Sequence, residues 1–362
     1  MIFPHLGRNF SRLVFFSLLL LLTGALHLDA QTEGSKHAAA ALPLSPVILV
    51  ERPGAINEFK ADPVQVKQMV NAALLKLTSA SDIGTAWTRL GITPQDIVGI
   101  KITTIGGPAL CTHHSLVQAI TDGLQSAGVP PGQIIIWDKF QDQMRPAGYA
   151  LRSASASQPA IASVVPDNNY DPDVYYSNGI LGRLIWGDFY FNRSFDPGSS
   201  RIPNRSFYTK FVTKTCTKII NVPVLTDNRF TGINGCLSSL ALGCTDNNRR
   251  FQGPPSYGDP ALCEILDQDF IRRKVVVHIL DALTAQCAGG PRFNPLFCEN
   301  PGALYVGRDP VAIDSLALPR LERMRRVMNV PPIGAAGRMI QSAAHYNLGT
   351  TDHSRIQLVR IP

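Results

Sequence analysis

The sequence predicts an α/β fold, with a mostly parallel sheet flanked by helices and a long irregular insertion around 140–210. Short apolar runs alternate with amphipathic segments, and residues 98–138 read strand, helix, strand. Such a unit pairs its two strands in parallel through a right-handed crossover. Of the 362 residues, 45% are hydrophobic and only 17% are charged, which excludes a wholly disordered chain.

The N-terminus has the features of a secretory signal peptide over residues 1–31. Arg8 and Arg12 flank an apolar run from 13 to 26, which is shorter than the ~20 residues of a membrane-spanning helix. Ala30 supplies a small residue before a cleavage point. We therefore expect export to the periplasm or the extracellular space. Retention of the segment as an uncleaved anchor is the alternative.

The mature chain is expected to form one domain. Residues 32–48 are rich in Ala, Ser and Gly and predict a flexible leader, and residues 49–362 predict a single α/β domain. No later segment is long and apolar enough to span a membrane. The formal net charge is +7, but the basic residues are spread along the chain, which does not indicate nucleic-acid binding.

Each element follows from a local pattern. Apolar residues at helical spacing predict helices, several with an N-terminal Pro or Asp cap or a C-terminal Gly, whereas short apolar runs predict strands. Pro319 should kink or end the helix that contains it. The predicted helices are 63–77, 82–90, 115–127, one beginning at Pro310 after Asp309, and 334–346. The predicted strands are 98–103, 133–138, 217–225, 274–280 and 303–306.

The first candidate site is the loop 103–115, at the carboxyl end of a predicted strand that contains Lys101. Ligands of open α/β sheets bind at such strand ends. Gly106 and Gly107 would let backbone N–H groups approach an anion, and the following helix N-terminus adds a positive partial charge. The pattern is neither a Walker loop nor a dinucleotide fingerprint.

The same loop carries a thiol and two imidazoles. Cys111 precedes the helix N-terminus, where the pKa of a thiol tends to fall. His113 and His114 could be metal ligands, an acid–base pair or caps. An ordinary loop with Thr112 as the helix cap is the alternative.

Three further acidic or polar positions follow strands or sit among apolar residues. Asp227 and Asn228 lie in a turn after the third strand, where such residues often bond their own backbone. Asp281 follows the next apolar strand. Asp314 lies among apolar helix positions and is expected to point inward, where a carboxylate needs a partner. His278, inside a strand, is expected to be a satisfied core histidine.

The seven cysteines suggest disulfides if the protein is exported. Cys236/Cys244 and Cys287/Cys298 are the natural local pairs, and Cys216/Cys263 is a third guess, although connectivity does not follow from sequence. Cys111 could also be bonded and purely structural. There is no Cys-x-x-Cys, so iron–sulfur, zinc-ribbon and thioredoxin-type sites are not indicated.

The order of these stretches resembles the bacterial and archaeal family called "domain of unknown function 362". The similarity covers roughly 95–352 and is carried by VGIKITTIGGPALCTHHSLVQAITDGLQSAG, KIINVPVLTDNRFTGINGCLSSL, VVVHILDALTAQCAGGP, YVGRDPVAIDSLAL and AAHYNLGTTD. It implies an α/β core and a redox or metal-linked role. Relatives usually carry Lys and Thr-His where this chain has the turn 223–228, and many carry a ferredoxin-type module whose cysteine spacing is absent here.

Two functions remain open from the sequence. The first is an exported enzyme or ligand-binding protein with a metal- or anion-binding site at the carboxyl ends of the strands. Its catalytic and metal-ligating candidates are Cys111, His113 and Asp314, and its ligand-binding candidates are Lys101, Gly106, Gly107, Asp227, Asn228 and Asp281. Such a set suits a metal ion or acid–base chemistry on a small anionic ligand. The second is a non-catalytic envelope-interaction protein that uses the aromatic-rich insertion.

Overall fold

The computed structural model describes residues 44–177 and 205–362. The expected signal peptide, and the leader up to residue 43, lie outside the described residues. The beginning of the first strand, 45–48, was expected to be flexible leader, and this boundary is wrong because the strand is paired on both sides within the sheet.

The strands of the described residues are β1 (Ser45–Glu51), β2 (Ile56–Asn57), β3 (Lys60–Ala61), β4 (Val98–Ile102), β5 (Ile134–Phe140), β6 (Ala160–Val165), β7 (Tyr170–Ser177), β8 (Arg205–Thr209), β9 (Lys218–Val222), β10 (Val224–Asn228), β11 (Gly232–Asn234), β12 (Val275–Gln286), β13 (Cys298–Glu299), β14 (Ala303–Gly307) and β15 (Ile356–Ile361). The α-helices are α1 (Pro63–Thr78), α2 (Ile83–Arg89), α3 (His114–Ser126), α4 (Gln141–Met144), α5 (Cys236–Cys244), α6 (Ala261–Leu266), α7 (Asp269–Arg272), α8 (Pro310–Val327) and α9 (Arg338–His345).

An 11-stranded mixed sheet, mostly parallel, organises the fold. Eight strands follow the order β15-β1-β14-β12-β9-β4-β5-β6, and the other three, β10, β11 and β13, pair beside β12 or with each other. The strands β12, β9, β4, β5 and β6 run parallel, while β14 runs antiparallel to both β1 and β12. The predicted α/β class is therefore confirmed. In the segment 140–210, β6 joins the main sheet and β7 pairs with β8 in a separate hairpin, while residues 178–204 lie outside the described part.

Two apolar clusters cover the two faces of the sheet. One contains buried residues of α1, α2 and α3, and the other contains buried residues of α5, α6, α8 and α9. Side chains of a strand alternate between faces. In β4, Ile100 and Ile102 accordingly join the α3 cluster, while Lys101 points toward α5.

Pro319 does not end its helix, because the 18 residues of α8 continue on both sides of it. Of the two predicted effects of Pro319, the helix end is wrong, and the kink stays a prediction. Ala317 and Leu321 on either side of the proline are fully buried, and that tertiary packing outweighs the lost backbone hydrogen bond. Within the described residues, no helix has the length and apolar character needed to cross a membrane.

Candidate functional site

The loop after β4 is tied down by threonines. The hydroxyl of Thr112 donates to the carbonyl of Val222 at 2.7 Å and accepts from the backbone N–H of Thr103 at 2.9 Å. The N–H of Thr112 in turn donates to the Thr103 carbonyl at 2.8 Å. These bonds close the loop and fix it to the end of β9, so the residues between them are held at the carboxyl edge of the sheet.

Lys101 lies in a buried polar cluster beneath α5. Its ammonium group is 3.1 Å from the carboxylate of Asp138, and both side chains are almost fully buried. It also donates to the Ile102 carbonyl at 2.6 Å and to the hydroxyl of Ser239 at 3.3 Å. Because its charge and donors are engaged within the protein, the described contacts place Lys101 in a packed ion-pair network between β4, β5 and α5.

Helix α5 approaches this lysine closely because Gly243 has no side chain. A Cβ at that position would lie 2.3 Å from Lys101 Cε. The hydroxyl of Ser239 is 2.8 Å from that of Thr103, so the helix also contacts the loop after β4. A small residue and a hydroxyl on one helix thus complete the cluster.

His113 and Asp281 form a dyad at the start of α3. The carboxylate oxygen Oδ2 of Asp281 lies 2.8 Å from His113 Nδ1 and accepts from the backbone N–H of His113 at 2.9 Å. Its other oxygen accepts from the Leu283 N–H at 3.1 Å. Burial disfavours the charged imidazole, but the charge and hydrogen bond of Asp281 outweigh it, so the pKa of His113 is raised.

The same carboxylate occupies the N-terminus of α3, where the sequence predicts an anion. Gly107 donates its N–H to the Thr104 carbonyl at 3.0 Å and has φ of +70°, which L side chains rarely adopt. A Cβ on Gly106 would lie 2.2 Å from the Leu110 carbonyl oxygen. Both glycines are therefore needed for the turn itself.

Cys111 is a buried neutral thiol. Its sulfur lies near the carbonyl oxygens of Pro108 and Ala147, at 3.9 and 3.8 Å. Burial, with a further contribution from Asp281, raises its pKa to about 12. The expectation of a lowered thiol pKa is therefore wrong, because apolar burial outweighs the helix terminus.

Asp314 holds the N-terminus of α5. Its two oxygens accept the backbone N–H groups of Cys236 at 2.6 Å and Leu237 at 3.0 Å. Complete burial raises its pKa to about 7, although those two hydrogen bonds favour the ionised form. It points inward as expected, and its partners are backbone N–H groups.

The proposed metal ligands are not assembled. Cys111 belongs to the cluster on the α3 face, whereas Asp314 lies among α8 residues that pack on the α5 face. In the part of the chain that the structure describes, no group of three or more His, Cys, Asp or Glu side chains could hold a metal ion. The set Cys111, His113 and Asp314 is corrected accordingly.

Asp227 and Asn228 shape the turn after β10. Asp227 accepts the N–H of Gly290 at 2.8 Å, and burial raises its pKa above the ordinary value. The side-chain oxygen of Asn228 accepts the N–H of Phe230 at 2.9 Å, which is a local Asx turn. These contacts bring the loop after β12 against the hairpin of β10 and β11.

In the comparison with known proteins, one family model matches part of the chain. The model described as "Domain of unknown function (DUF362)" matches residues 190–319. Through this segment, the chain is similar to the DUF362 family. No curated protein matches the chain. A structural-genomics crystal structure from Thermotoga maritima aligns at 10% identity with a TM-score of 0.38, covering 80% of this chain and 60% of that one.

The matched residues 190–319, here called the DUF362 segment, contain only part of the candidate site. Asp227, Asp281 and Asp314 lie within it, whereas Lys101 and His113 precede it on β4 and at the start of α3. The dyad therefore joins a residue of the DUF362 segment to one outside it. Where the resemblance implies a turn with Lys and Thr-His, residues 224–228 form strand β10, which Pro223 separates from β9.

All seven cysteines are free thiols. Cys236 and Cys244 lie at the two ends of α5, about 12 Å apart along a helix that rises ~1.5 Å per residue, beyond the reach of a disulfide. The third suggested pair, Cys216 and Cys263, is also not bonded. The sulfur of Cys263 contacts the Met339 carbonyl, whereas that of Cys216 lies beside Gly99 on β4.

The remaining local pair is also unbridged. Cys298 is the cross-strand partner of Gln286, not of Cys287. Its sulfur lies near the Gln286 side chain, whereas that of Cys287 contacts Met328. The two sulfurs therefore contact different side chains.

The aromatic insertion is partly a core element. Tyr170 and Tyr176 are buried, while Tyr175 is exposed, lies under the Arg205 guanidinium group and makes an edge-to-face contact with Phe207. The other aromatics of this hypothesis, Trp186, Tyr190 and Phe191, lie outside the described residues. The envelope-interaction alternative stays a prediction.

Sequence reasoning missed three groups. Asp138 lies near the carboxyl end of β5 and could have been found by the strand-end rule that selected Asp281. Thr226 and Asn234 face each other across β10 and β11, and their sequence signal is only the unusual polarity of two short strands.

His278 is the buried histidine expected, beside the Asn221 amide at 3.1 Å, and burial lowers its pKa to about 3.

Proposed function

We propose that the protein is an exported enzyme or ligand-binding protein in which His113 acts as an acid–base group toward a small molecule at the carboxyl edge of the sheet. Export rests on the features of residues 1–31. The site rests on the dyad of His113 and Asp281, which belongs to the edge where α/β proteins bind ligands.

One observation carries the proposal: Asp281 holds Nδ1 of an imidazole whose Nε2 has no hydrogen bond within the described residues. The His113 side chain keeps 10% of its surface exposed, whereas Asp281 is completely buried. A buried aspartate that fixes one ring nitrogen sets the tautomer and stabilises the imidazolium. Nε2 is then free to exchange a proton with a bound molecule.

The neighbouring histidine provides a matched control. His114 is exposed, its Nε2 lies 2.9 Å from the Ala147 carbonyl, and its ring stacks on Tyr149. It shares the loop and residue type of His113 but has no carboxylate partner among the described contacts. His114→Gln should therefore test the loop without testing the dyad.

The experiment measures rates on a panel of chromogenic esters, lactones, glycosides and phosphate monoesters between pH 5 and 9. General acid–base catalysis contributes about 10²–10⁴-fold, so His113→Gln should lower the affected rate by at least about 100-fold. Asp281→Asn should shift the pH profile to lower pH. His114→Gln should retain the rate. Equal rates of the wild type and His113→Gln throughout the panel would contradict the proposal.

A further inference from the structure

The hairpin of β10 and β11 carries two buried polar groups without partners. Thr226 and Asn234 are cross-strand partners, 2% and 6% exposed. Within the described residues, neither the Thr226 hydroxyl nor the Asn234 amide nitrogen has a hydrogen bond. Leaving such groups unpaired costs about 1–3 kcal/mol each. A bound molecule that forms hydrogen bonds with them would remove this cost.

These groups face the same side of the sheet as the dyad. Val224 is the register partner of Asp281 and Thr226 that of Gln286, with an irregularity in the pairing between them. Leu280 and Ala282 on either side of Asp281 belong to the α5 cluster, so Asp281 itself faces the other side. Residues two apart share a face and are about 6.6 Å apart. On the opposite face, Leu225 joins the α5 cluster and Asp227 binds Gly290.

The electrostatics of this face do not favour an anion. The N-terminus of α3 is filled by the Asp281 carboxylate, and the opposite charges of His113 and Asp281 compensate each other. Lys101 points to the other face and pairs with Asp138. Hydroxyl and amide groups remain, and these bind hydroxyl or carbonyl oxygens.

We infer that Thr226 and Asn234 form the recognition subsite of the proposed site, and that its ligand is an uncharged, oxygen-rich small molecule such as a polyol or sugar. The inference rests on the proposed function for the reacting end of the ligand, at His113. The anionic ligand predicted from Gly106 and Gly107 is the opposing outcome.

The test observes the side-chain amide of Asn234 by NMR in ¹⁵N-labelled mature protein. The uncharged probes are glycerol, myo-inositol and glucose, and the charged probes are glycerol 3-phosphate and gluconate. At least one uncharged probe should shift the Asn234 signal saturably, and Thr226→Val should weaken that binding about tenfold, the equivalent of one hydrogen bond of ~1.4 kcal/mol. No shift with any uncharged probe, or a shift with the anions alone, would overturn the inference.

A ligand-free measurement separates recognition from structure. Thr226→Val keeps the shape and removes a hydroxyl without a partner, so its melting temperature should stay equal to or rise above that of the wild type. The control Thr121→Val removes a buried hydroxyl that bonds the Val117 carbonyl at 2.8 Å in α3, and it should retain probe binding. A clear fall in melting temperature for Thr226→Val would show a structural hydroxyl and overturn the inference.

The two hypotheses fail separately. Probe binding is measured without turnover, and the rate panel is measured with His113→Gln. Binding at Asn234 with equal rates in the panel would keep the subsite and reject the acid–base role. A histidine-dependent rate without any probe-induced shift would do the reverse.

Discussion

At the scale of single residues, the loop after β4 shows how environment decides chemistry. Cys111 and His113 are two residues apart, and both lie near Asp281. Burial, with a smaller contribution from this carboxylate, raises the pKa of Cys111 and keeps the thiol neutral. Burial acts against the imidazolium of His113, but the carboxylate outweighs it and raises the pKa of that residue. In the proposed function, His113 and not the neutral Cys111 thiol is therefore the group that exchanges protons.

The pKa of His113 gives the first prediction at this scale. Asp281→Asn removes the negative charge and should lower the pKa of His113, because burial then acts alone against the imidazolium. A titration of the His113 ring protons by NMR, assigned with His113→Gln, measures the shift. An unchanged pKa in Asp281→Asn would mean that the dyad does not form in solution.

The raised pKa of His113 also makes the stability of the fold depend on pH. A raised folded-state pKa means that the dyad stabilises the fold fully below the unfolded value near ~6.5, and that this stability is lost as pH rises through the folded value. The difference in unfolding free energy between the wild type and Asp281→Asn should therefore contain a component that decreases above neutral pH.

At the scale of elements, α5 depends on a carboxylate from another helix. Eight of its nine residues are buried, and Gly235 before it cannot carry a Cβ, which would lie 2.3 Å from Asp314. The capping group therefore comes from α8. The position of α5 therefore depends on the position of α8. Ser239 and Gly243, which lie over Lys101, depend on it as well.

The ionisation of Asp314 predicts a pH dependence of stability. Its pKa rises from 3.8 to about 7 on folding, so the folded state binds more protons between these values. Stability from this group is full below pH ~4 and falls as pH rises toward 7. Melting temperatures of the wild type should thus decline between pH 5 and 8 more steeply than those of Asp314→Asn. The exposed Asp269→Asn is the control, and parallel slopes in all three proteins would refute the assignment.

Close packing of α5 gives a second prediction for this element. Gly243→Ala places a methyl 2.3 Å from Lys101 Cε and must displace the buried ion pair. Overpacking of this kind costs about 1–3 kcal/mol of unfolding free energy, measured by denaturant titration. Gly54→Ala, whose nearest neighbour would be 3.7 Å away, is the control and should change stability little.

At the scale of the whole molecule, the sequence predicted the architecture better than the site. Buried parallel strands are recognisable in the sequence as apolar runs. The predicted ends of α1, α2 and α3 lie within two residues of those in the structure. The site residues were selected by nearness to strand ends, which is the same for Asp281 and Asp314. The face to which each side chain points separates them. The end of the sheet separates them as well, because β14 runs antiparallel to β12 and α8 follows β14.

The thiols provide the last prediction, because they report on the entire fold. Six of the seven cysteines are buried and Cys298 is partly exposed. Burial raises the pKa values of Cys111, Cys216, Cys244, Cys263 and Cys298 to about 12, so few thiolates exist at pH 8. Titration with a thiol-specific disulfide reagent should therefore give less than about one rapid equivalent in the native protein and seven after unfolding. Cys298→Ala should remove the native reaction, whereas Cys111→Ala should not. A deficit of two thiols in unreduced, unfolded protein from an oxidising compartment would show that export installs a disulfide that this fold does not contain.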